Sequence, residues 1–309
     1  MKYIDLLENY VDLSTSNLWT TPETVDRLQK YLTSLSTKEF SSLIMISGYI
    51  PDHYDHDSSE ETLYSKLIEL LVYEWAKRIG FDLSELPTQK SSIEDITIQD
   101  NDYVIVSDAK SFRLGRSQKS PNVKDTIKSG DYKKWLDRYK SKHQLGGILT
   151  FPEMFEWVRS SDVHSYLTNK ENRILLLYYS HLSACLELGI NKIKFIEYFQ
   201  NFESYFPRVI NKDEDPKSIY FNNLYTTLFS GNENEVKDFL IQSSMINLKI
   251  KDYALQRIEK IIKERSDSLK SVVDSFDTLE GLKSYVVQEI LPNHTEELIR
   301  IKNNIIKFR

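Results

Sequence analysis

The stretch IEDITIQDNDYVIVSDAK, residues 93–110, decides the fold class of this chain. β-branched and aromatic residues dominate its two halves, 93–98 and 103–106, and the polar run 99–102 separates them. Asn and Asp in that run tolerate the positive φ of a tight turn. The pattern therefore predicts a β-hairpin in the middle of a mixed α/β core.

The end of this hairpin carries acidic and basic side chains. Side chains alternate between the two faces of a strand, so Asp108 and Lys110 share one face. A two-residue turn at Asp100-Asn101 would pair residues whose numbers sum to 201, which sets Asp95 opposite Val106 and diagonal to Asp108. A register change of one residue would move Asp95 to the other face. Two carboxylates and one ammonium group are thus expected to converge.

This combination of groups suits a particular chemistry. Two carboxylates and a backbone carbonyl form the hard oxygen cluster that Mg²⁺ prefers when it bridges protein to phosphate. Asp95, Asp108 and the carbonyl of Ala109 are the candidate ligands, and Lys110 would orient or deprotonate the attacking water. Hydrolysis of a phosphate ester is the predicted reaction. An Asp-x-Lys triplet by itself is common, and usually forms only a surface ion pair.

A basic segment begins directly at this triplet. Residues 110–142 hold eleven basic side chains and three acidic ones, although the whole chain of 309 residues has a net charge of -6. A charge run is often only a solvated loop. Beside a carboxylate pair, however, it suits a polyanion gripped next to the chemistry, with the acidic remainder repelling that polyanion elsewhere. The combination predicts a nuclease.

The apolar pattern changes along the chain. It predicts an amphipathic helix over about 60–79, and it predicts buried strands at 147–151 and 174–179. Helical patterns dominate from Ile190 onward. They are plainest from Tyr253 to about Ser275 and from Leu279 to Ile306, with Pro216 and Pro292 as breaks.

These patterns divide the chain into three parts. Residues 1–57 form an N-terminal helical region. Residues 58–190 form a catalytic core, which includes the basic segment 110–142. Residues 191–309 form a helical C-terminal region that is expected to pack on the same domain. The predicted fold class is α/β (α+β), with a central mixed β-sheet flanked by helices.

Several other protein classes have no support. The lone Cys185 cannot form an internal disulfide, and the opening MKYIDLLENYVD lacks a secretory signal, so a cytoplasmic location is expected. The most apolar window, residues 174–190, is too short and too polar for a membrane span. Phosphate-binding and dinucleotide-binding glycine motifs do not occur, so no nucleotide cofactor is expected. His53 and His56 have no third ligand at zinc spacing.

The run VSDAKSFRLGR, residues 106–116, closely resembles the signature of the HindIII-type restriction endonucleases. The likeness extends back to Ser59–Lys66 and forward to 148–150 and 175–177, and it is good over residues 40–190. The resemblance implies a restriction-endonuclease-like core of the PD-(D/E)xK nuclease superfamily and Mg²⁺-dependent cleavage of double-stranded DNA. It also implies a homodimer acting on a palindrome, with AAGCTT, cut after the first A, as the expected site.

The resemblance assigns roles to individual residues. Asp108 and Lys110 match the family's Asp-x-Lys, and Asp95 matches its upstream acid after a short gap. The superfamily's proline before that acid is missing. Glu94 stands there instead and stays open as an alternative acid. Glu61, on the preceding helix, is a candidate for support of the site or for a second metal, and a capping role at the helix N-terminus is equally open.

The segment after the active strand is expected to contact DNA. Arg and Lys are suited to guanine, and Asn to adenine, whereas most basic residues touch only phosphates. The candidate DNA-contacting residues are Arg113, Arg116, Lys119, Ser120, Asn122 and Lys124.

Two alternative functions stay open at this point. One is a related nuclease of different specificity. The other is a noncatalytic DNA-binding protein that retains only the fold. The complete set of Asp95, Asp108 and Lys110 favours an enzyme over the second alternative.

Overall fold

The structure is a computed structural model, and it describes residues 2–87, 93–115, 127–153, 173–205, 215–274 and 291–307. The described strands are β1 Tyr49–Ile50, β2 Ile96–Gln99, β3 Tyr103–Ala109, β4 Phe112–Arg113, β5 His143–Phe151 and β6 Ile174–Tyr178. The described helices are α1 Lys2–Thr15, α2 Thr21–Ser34, α3 Thr37–Met45, α4 Ser59–Arg78, α5 Ser129–Leu136, α6 Tyr179–Glu187, α7 Lys192–Gln200, α8 Phe202–Tyr205, α9 Pro216–Thr227, α10 Glu233–Asp274 and α11 Leu291–Lys307.

A mixed four-stranded sheet lies at the centre. Its strand order is β2-β3-β5-β6, with β2 and β3 antiparallel and the other neighbours parallel. The strands β5 and β6 are apolar and almost wholly buried, as expected for parallel strands covered on both faces. The predicted fold class, a mixed sheet flanked by helices, is confirmed.

Helix α4, which precedes the four-stranded sheet in the chain, packs against that sheet. Ser58 caps it by accepting a hydrogen bond from the amide of Glu61 at 3.2 Å, and the helix packs against β2 and β3. Its apolar residues are fully buried, and Trp75 donates from Nε1 to the carbonyl of Leu182 in α6 at 3.0 Å. The predicted helix over about 60–79 is confirmed within one residue.

The hairpin turn lies one residue later than predicted. Ile96 pairs with Ser107 and Gln99 with Val104, so paired numbers sum to 203, and the turn is Asn101-Asp102. The Asp100 side chain accepts hydrogen bonds from the amides of Asp102 and Tyr103 at 3.0 and 2.9 Å, which fixes it before the turn. The sum of paired residue numbers is thus 203 instead of the predicted 201, which is a register shift of two residues. A shift of two keeps every side chain on its predicted face, so Asp95 moves from a position diagonal to Asp108 to one directly opposite it.

The C-terminal helices differ from their prediction in extent. Helix α10 has 42 residues and begins at Glu233, within the region predicted to be helical from Ile190 onward but twenty residues before the stretch from Tyr253 where that pattern is plainest. Pro216 and Pro292 lie in the first turns of α9 and α11, where a missing amide hydrogen costs little. The predicted stretch 279–290 lies outside the described residues.

A second apolar cluster joins these helices to the β1–β4 strand pair. Leu114, just after β4, is buried in it together with Ile46, Tyr49, Ile250, Ile258, Leu298, Ile301 and Ile305. Helices α10 and α11 therefore cover the chain where it leaves β4. None of the described helices is both long enough and apolar enough to cross a membrane.

Candidate active site

The end of β3 brings the two predicted carboxylates together. The amide of Ala109 donates to Oδ2 of Asp95 at 2.9 Å, and the amide of Asp95 donates to the carbonyl of Ser107 at 3.0 Å. These two bonds hold Asp95 at the end of the β2–β3 ladder, and its carboxyl group lies within hydrogen-bonding reach of that of Asp108. Nζ of Lys110 lies 2.6 Å from Oδ1 of Asp108. The three predicted site residues thus form one cluster.

Burial and close charges shift the pKa values of this cluster. Burial first, and then repulsion from Asp108 and Glu69, raise the pKa of Asp95 to about 8. Burial by itself would lower the pKa of Lys110, but the neighbouring carboxylates outweigh it and raise that pKa. If Asp95, Asp108 and Glu69 were all ionised, the site would hold more negative charge than Lys110 balances, and the raised pKa of Asp95 keeps that acid mostly protonated near neutral pH. A bound cation would relieve this excess.

Glu69 of α4 is a third acid beside this cluster, and it is not among the site residues predicted from the sequence. Its carboxylate is buried, lies 2.6 Å from Nζ of Lys66, and is close enough to Asp108 and Lys110 to interact with both. Burial raises the pKa of Glu69, Lys66 opposes that rise, and Asp108 adds to it. The sequence does carry a signal, because Glu69 interrupts the apolar run Leu67–Val72 of a core helix. Acids rarely occupy such positions without a partner or a function.

Glu61 lies elsewhere, in an ion pair with Arg113. Oε2 of Glu61 is 3.1 Å from Nη2 of Arg113, and it also accepts a hydrogen bond from the amide of Asp57 at 2.8 Å. Glu61 therefore fastens the start of α4 to β4. It is not among the groups that shift the pKa of Asp95 or Lys110.

The prediction that Arg113 contacts DNA does not agree with its position. Its guanidinium is buried and donates to the carbonyls of Tyr54 and Asp55 at 2.6 and 3.1 Å. With Glu61 as a further partner, these bonds tie β4 to the loop after β1. A guanidinium held in this way has a structural position, because presenting it to a base would break several buried bonds.

Glu94 has its own set of partners. It forms an ion pair with Arg138, accepts a hydrogen bond from the hydroxyl of Tyr139, and accepts another from Thr97 at 3.0 Å. The carboxylate is fully buried and is neutralised by Arg138. Of the two adjacent acids, Asp95 is therefore the one that meets Asp108.

Of the six predicted DNA-contacting residues, the structure describes Arg113. Arg116, Lys119, Ser120, Asn122 and Lys124 lie outside the described residues. The base of their segment is held at Gly115, whose amide donates to Oδ1 of Asp52 at 2.9 Å and whose carbonyl accepts from Asn304 at 2.8 Å. The described basic side chains of this region that are exposed are Lys128, Lys133, Lys134, Arg138 and Lys140.

The oxygen atoms of this site suit a hard divalent cation that takes only a few of its ligands from the protein. Within the described ranges, no group of three or more His, Cys, Asp or Glu side chains is arranged as a ready-made metal site. Asp95 and Asp108, with the carbonyl of Ala109, supply few oxygens and leave room for water and phosphate. Mg²⁺ suits such a site because it keeps several water ligands, whereas an ion that needs most of its ligands from the protein does not.

Comparison with known proteins gives the class. The chain is 22% identical over 308 residues to the type II restriction enzyme HindIII of Haemophilus influenzae (strain ATCC 51907 / DSM 11121 / KW20 / Rd), and the match covers 92% of this chain and 96% of that protein. The sequence pattern described as HindIII restriction endonuclease matches residues 4–272. Together with the mixed α/β fold, these similarities make the chain a type II site-specific deoxyribonuclease. Within that class, it belongs to the HindIII restriction endonuclease family.

Proposed function

We propose that this protein cuts both strands of double-stranded DNA at a palindrome by Mg²⁺-dependent hydrolysis, with AAGCTT, cut after the first A, as the expected site. The observation that carries the proposal is the close pair of the half-buried Asp95 and the buried Asp108, with Lys110 beside it. In the proposal this trio acts as a PD-(D/E)xK site, with Glu94 where the superfamily has proline. A noncatalytic DNA-binding protein would have no use for such costly buried charges.

In the proposed site, Asp95, Asp108 and the carbonyl of Ala109 hold Mg²⁺. When bound, the ion supplies positive charge where the scissile phosphate becomes more negative. The Ala109 amide keeps the Asp95 carboxylate turned toward Asp108, as the 2.9 Å bond indicates. The two acids therefore need little rearrangement to bind a cation together.

Lys110 acts on the open side of the pair. Its side chain is 29% exposed, whereas that of Asp108 is only 4% exposed, so Lys110 is the more accessible partner from solvent. From there it can donate hydrogen bonds to a phosphate oxygen and orient the attacking water. The raised pKa of Lys110 keeps the amine protonated before DNA and metal arrive.

Glu69 supports this centre from helix α4. Its carboxylate adds to the negative field at Asp95 and Asp108, and Lys66 limits that addition through the 2.6 Å contact. In the proposal, Glu69 strengthens cation binding by this field.

Double-strand cleavage calls for two such centres. A palindrome has two-fold symmetry, and a homodimer presents one centre to each strand through the same symmetry. The proposed assembly is therefore a homodimer on double-stranded DNA. We expect it to act in the cytoplasm. It requires no nucleotide cofactor, because hydrolysis of a phosphodiester bond is favourable without coupling to ATP.

Digestion of a plasmid of known sequence tests the proposal. In Mg²⁺ we expect discrete fragments whose mapped ends all lie at one palindrome, and in EDTA we expect intact plasmid. Ends at AAGCTT after the first A support the expected specificity, whereas ends at another sequence identify a nuclease of changed specificity. Intact plasmid in Mg²⁺, with DNA bound, would instead favour the noncatalytic alternative.

A further inference from the structure

Both backbone polar groups of Lys110 are held by neighbouring elements. Its amide donates to the carbonyl of Thr150 in β5 at 2.8 Å. Its carbonyl accepts a hydrogen bond from the hydroxyl of Tyr179, the first residue of α6, at 2.9 Å. The chain at Lys110 has just left strand β3, so these two bonds replace the support that a longer ladder would give.

The ring of Tyr179 is fixed as firmly as its hydroxyl. Tyr179 is fully buried, and its ring lies so close to Gly48 that a Cβ there would overlap it. Gly48 has φ +91°, and its carbonyl accepts a hydrogen bond from the amide of Phe112 at 2.8 Å. The turn from Lys110 to Phe112 is thus clamped between α6 and the segment before β1.

The hydroxyl is suited to act as a permanent donor. Burial, above all, raises the pKa of Tyr179; a hydrogen bond with Thr150 opposes that rise, the carboxylates of Asp95 and Asp108 add to it, and the net rise keeps the group protonated. A buried hydroxyl costs free energy unless it forms a hydrogen bond. Phe would fill the same volume without this requirement, so the hydroxyl calls for a separate reason.

We propose that Tyr179 is a positioning residue for Lys110. Its hydroxyl fixes the peptide plane after Lys110, and through that plane the direction in which the amine projects beside Asp108. Tyr179 itself touches neither metal nor DNA. This inference rests on the proposed function of Lys110. A displacement of a catalytic group by about 1 Å typically costs about 100-fold in rate, so the clamp bears on turnover more than on DNA binding.

Substitution of Tyr179 by Phe tests the inference, because Phe keeps the ring against Gly48 and removes only the hydroxyl. At saturating DNA and Mg²⁺, the single-turnover cleavage rate of Tyr179→Phe should fall about 10- to 100-fold. The Kd for the cognate duplex, measured with Ca²⁺ in place of Mg²⁺, should change less than about twofold. Tyr220→Phe is the matched control, since that buried hydroxyl also bonds to backbone, at the amide of Leu176 (2.7 Å), away from Lys110. We expect the control to cleave at the parent rate.

A double-mutant cycle shows whether Tyr179 acts through Lys110. With the lysine already replaced, in Lys110→Met at excess enzyme, Tyr179→Phe should slow residual cleavage less than about twofold. A parent cleavage rate in Tyr179→Phe, or an equal loss in both lysine backgrounds, would overturn the positioning role. Full cleavage by Lys110→Met alone would instead overturn the proposed function. Thermal melts of all variants separate a loss of fold from a loss of rate.

Discussion

The carboxyl groups of Asp95 and Asp108 meet inside the protein, and the Ala109 amide, 2.9 Å from Oδ2 of Asp95, keeps the first turned toward the second. Two carboxylates at such close range, one buried and one half-buried, repel one another when both are ionised. The fold therefore maintains a pair that destabilises it in the absence of a cation. Sites of function often carry local cost of this kind.

Replacing Asp95 by Asn should stabilise the metal-free protein. The pKa of Asp95 is raised to about 8 in the folded state, from 3.8, mainly by burial. The folded state thus prefers the protonated acid, so ionisation costs nothing below about pH 4 and progressively more as pH rises toward 8. At pH 8 in EDTA we expect Asp95→Asn to exceed the parent by about 1–3 kcal/mol in the free energy of unfolding.

Urea unfolding at pH 4.5 and pH 8 measures this difference. Asn keeps an acceptor for the Ala109 amide, so only the charge is lost. Asp26→Asn, at an exposed surface acid paired with Lys30, is the control and should change stability little at either pH. A parent that is more stable than Asp95→Asn at pH 8 would contradict the prediction.

Mg²⁺ should stabilise the folded protein through the same pair. A ligand that binds only the folded state raises its stability with ligand concentration. We expect the thermal midpoint of the parent to rise with millimolar Mg²⁺ and to return on addition of EDTA. The midpoint of Asp108→Asn should stay within about 1 °C, because that variant lacks a ligand. An equal rise in both proteins would place the ion elsewhere.

Replacement of Arg113 by Met should reveal a structural role rather than a role in sequence readout. The change leaves the carbonyls of Tyr54 and Asp55 and the Glu61 carboxylate without their buried donor. We expect a loss of about 3–5 kcal/mol in the free energy of unfolding. Denaturant titration measures it, and digestion of a random-sequence library should show an unchanged site. If the variant kept normal stability but accepted other bases at one position of the site, Arg113 would instead belong to the DNA interface.

Gly48→Ala should disturb the clamp at Lys110 from the opposite side. The residue has φ +91°, and a Cβ there would overlap the Tyr179 ring. We expect a loss of stability of about 1–3 kcal/mol together with slower cleavage. Gly189→Ala is the matched control, with φ +67° but open space around its Cβ, so it carries the backbone strain alone. Equal cleavage rates in the two variants would show that the ring contact does not matter to the site.

The sequence predicts the centre of this molecule well because local patterns determine it. Alternation and turn residues specify the hairpin, and only the turn moves, since Asp100 binds the two amides that follow it. Helix α10 extends well before Tyr253, where its sequence pattern becomes plain, because Ser243 and Asn247 weaken the local helical pattern while burial of that face favours the helix.

The features that the sequence does not reveal depend on distant segments. Arg113 finds its acceptors more than fifty residues earlier in the chain, so its basic character suggests DNA while its contacts are internal. Glu69 reaches Asp108 only because α4 packs on the sheet. Tyr179 follows an apolar run, and nothing in its neighbourhood in the chain points to Lys110.

Single-turnover cleavage of a duplex that contains the mapped palindrome tests the central claim most directly. Asp108→Asn and Lys110→Met should each lose at least about 1,000-fold in rate in Mg²⁺ while still folding and binding that duplex. Lys30→Ala, at an exposed ion pair with Asp26 outside the basic segment, should cleave within about threefold of the parent. Cleavage by Asp108→Asn or Lys110→Met at the parent rate would contradict the assignment of this cluster as the active site.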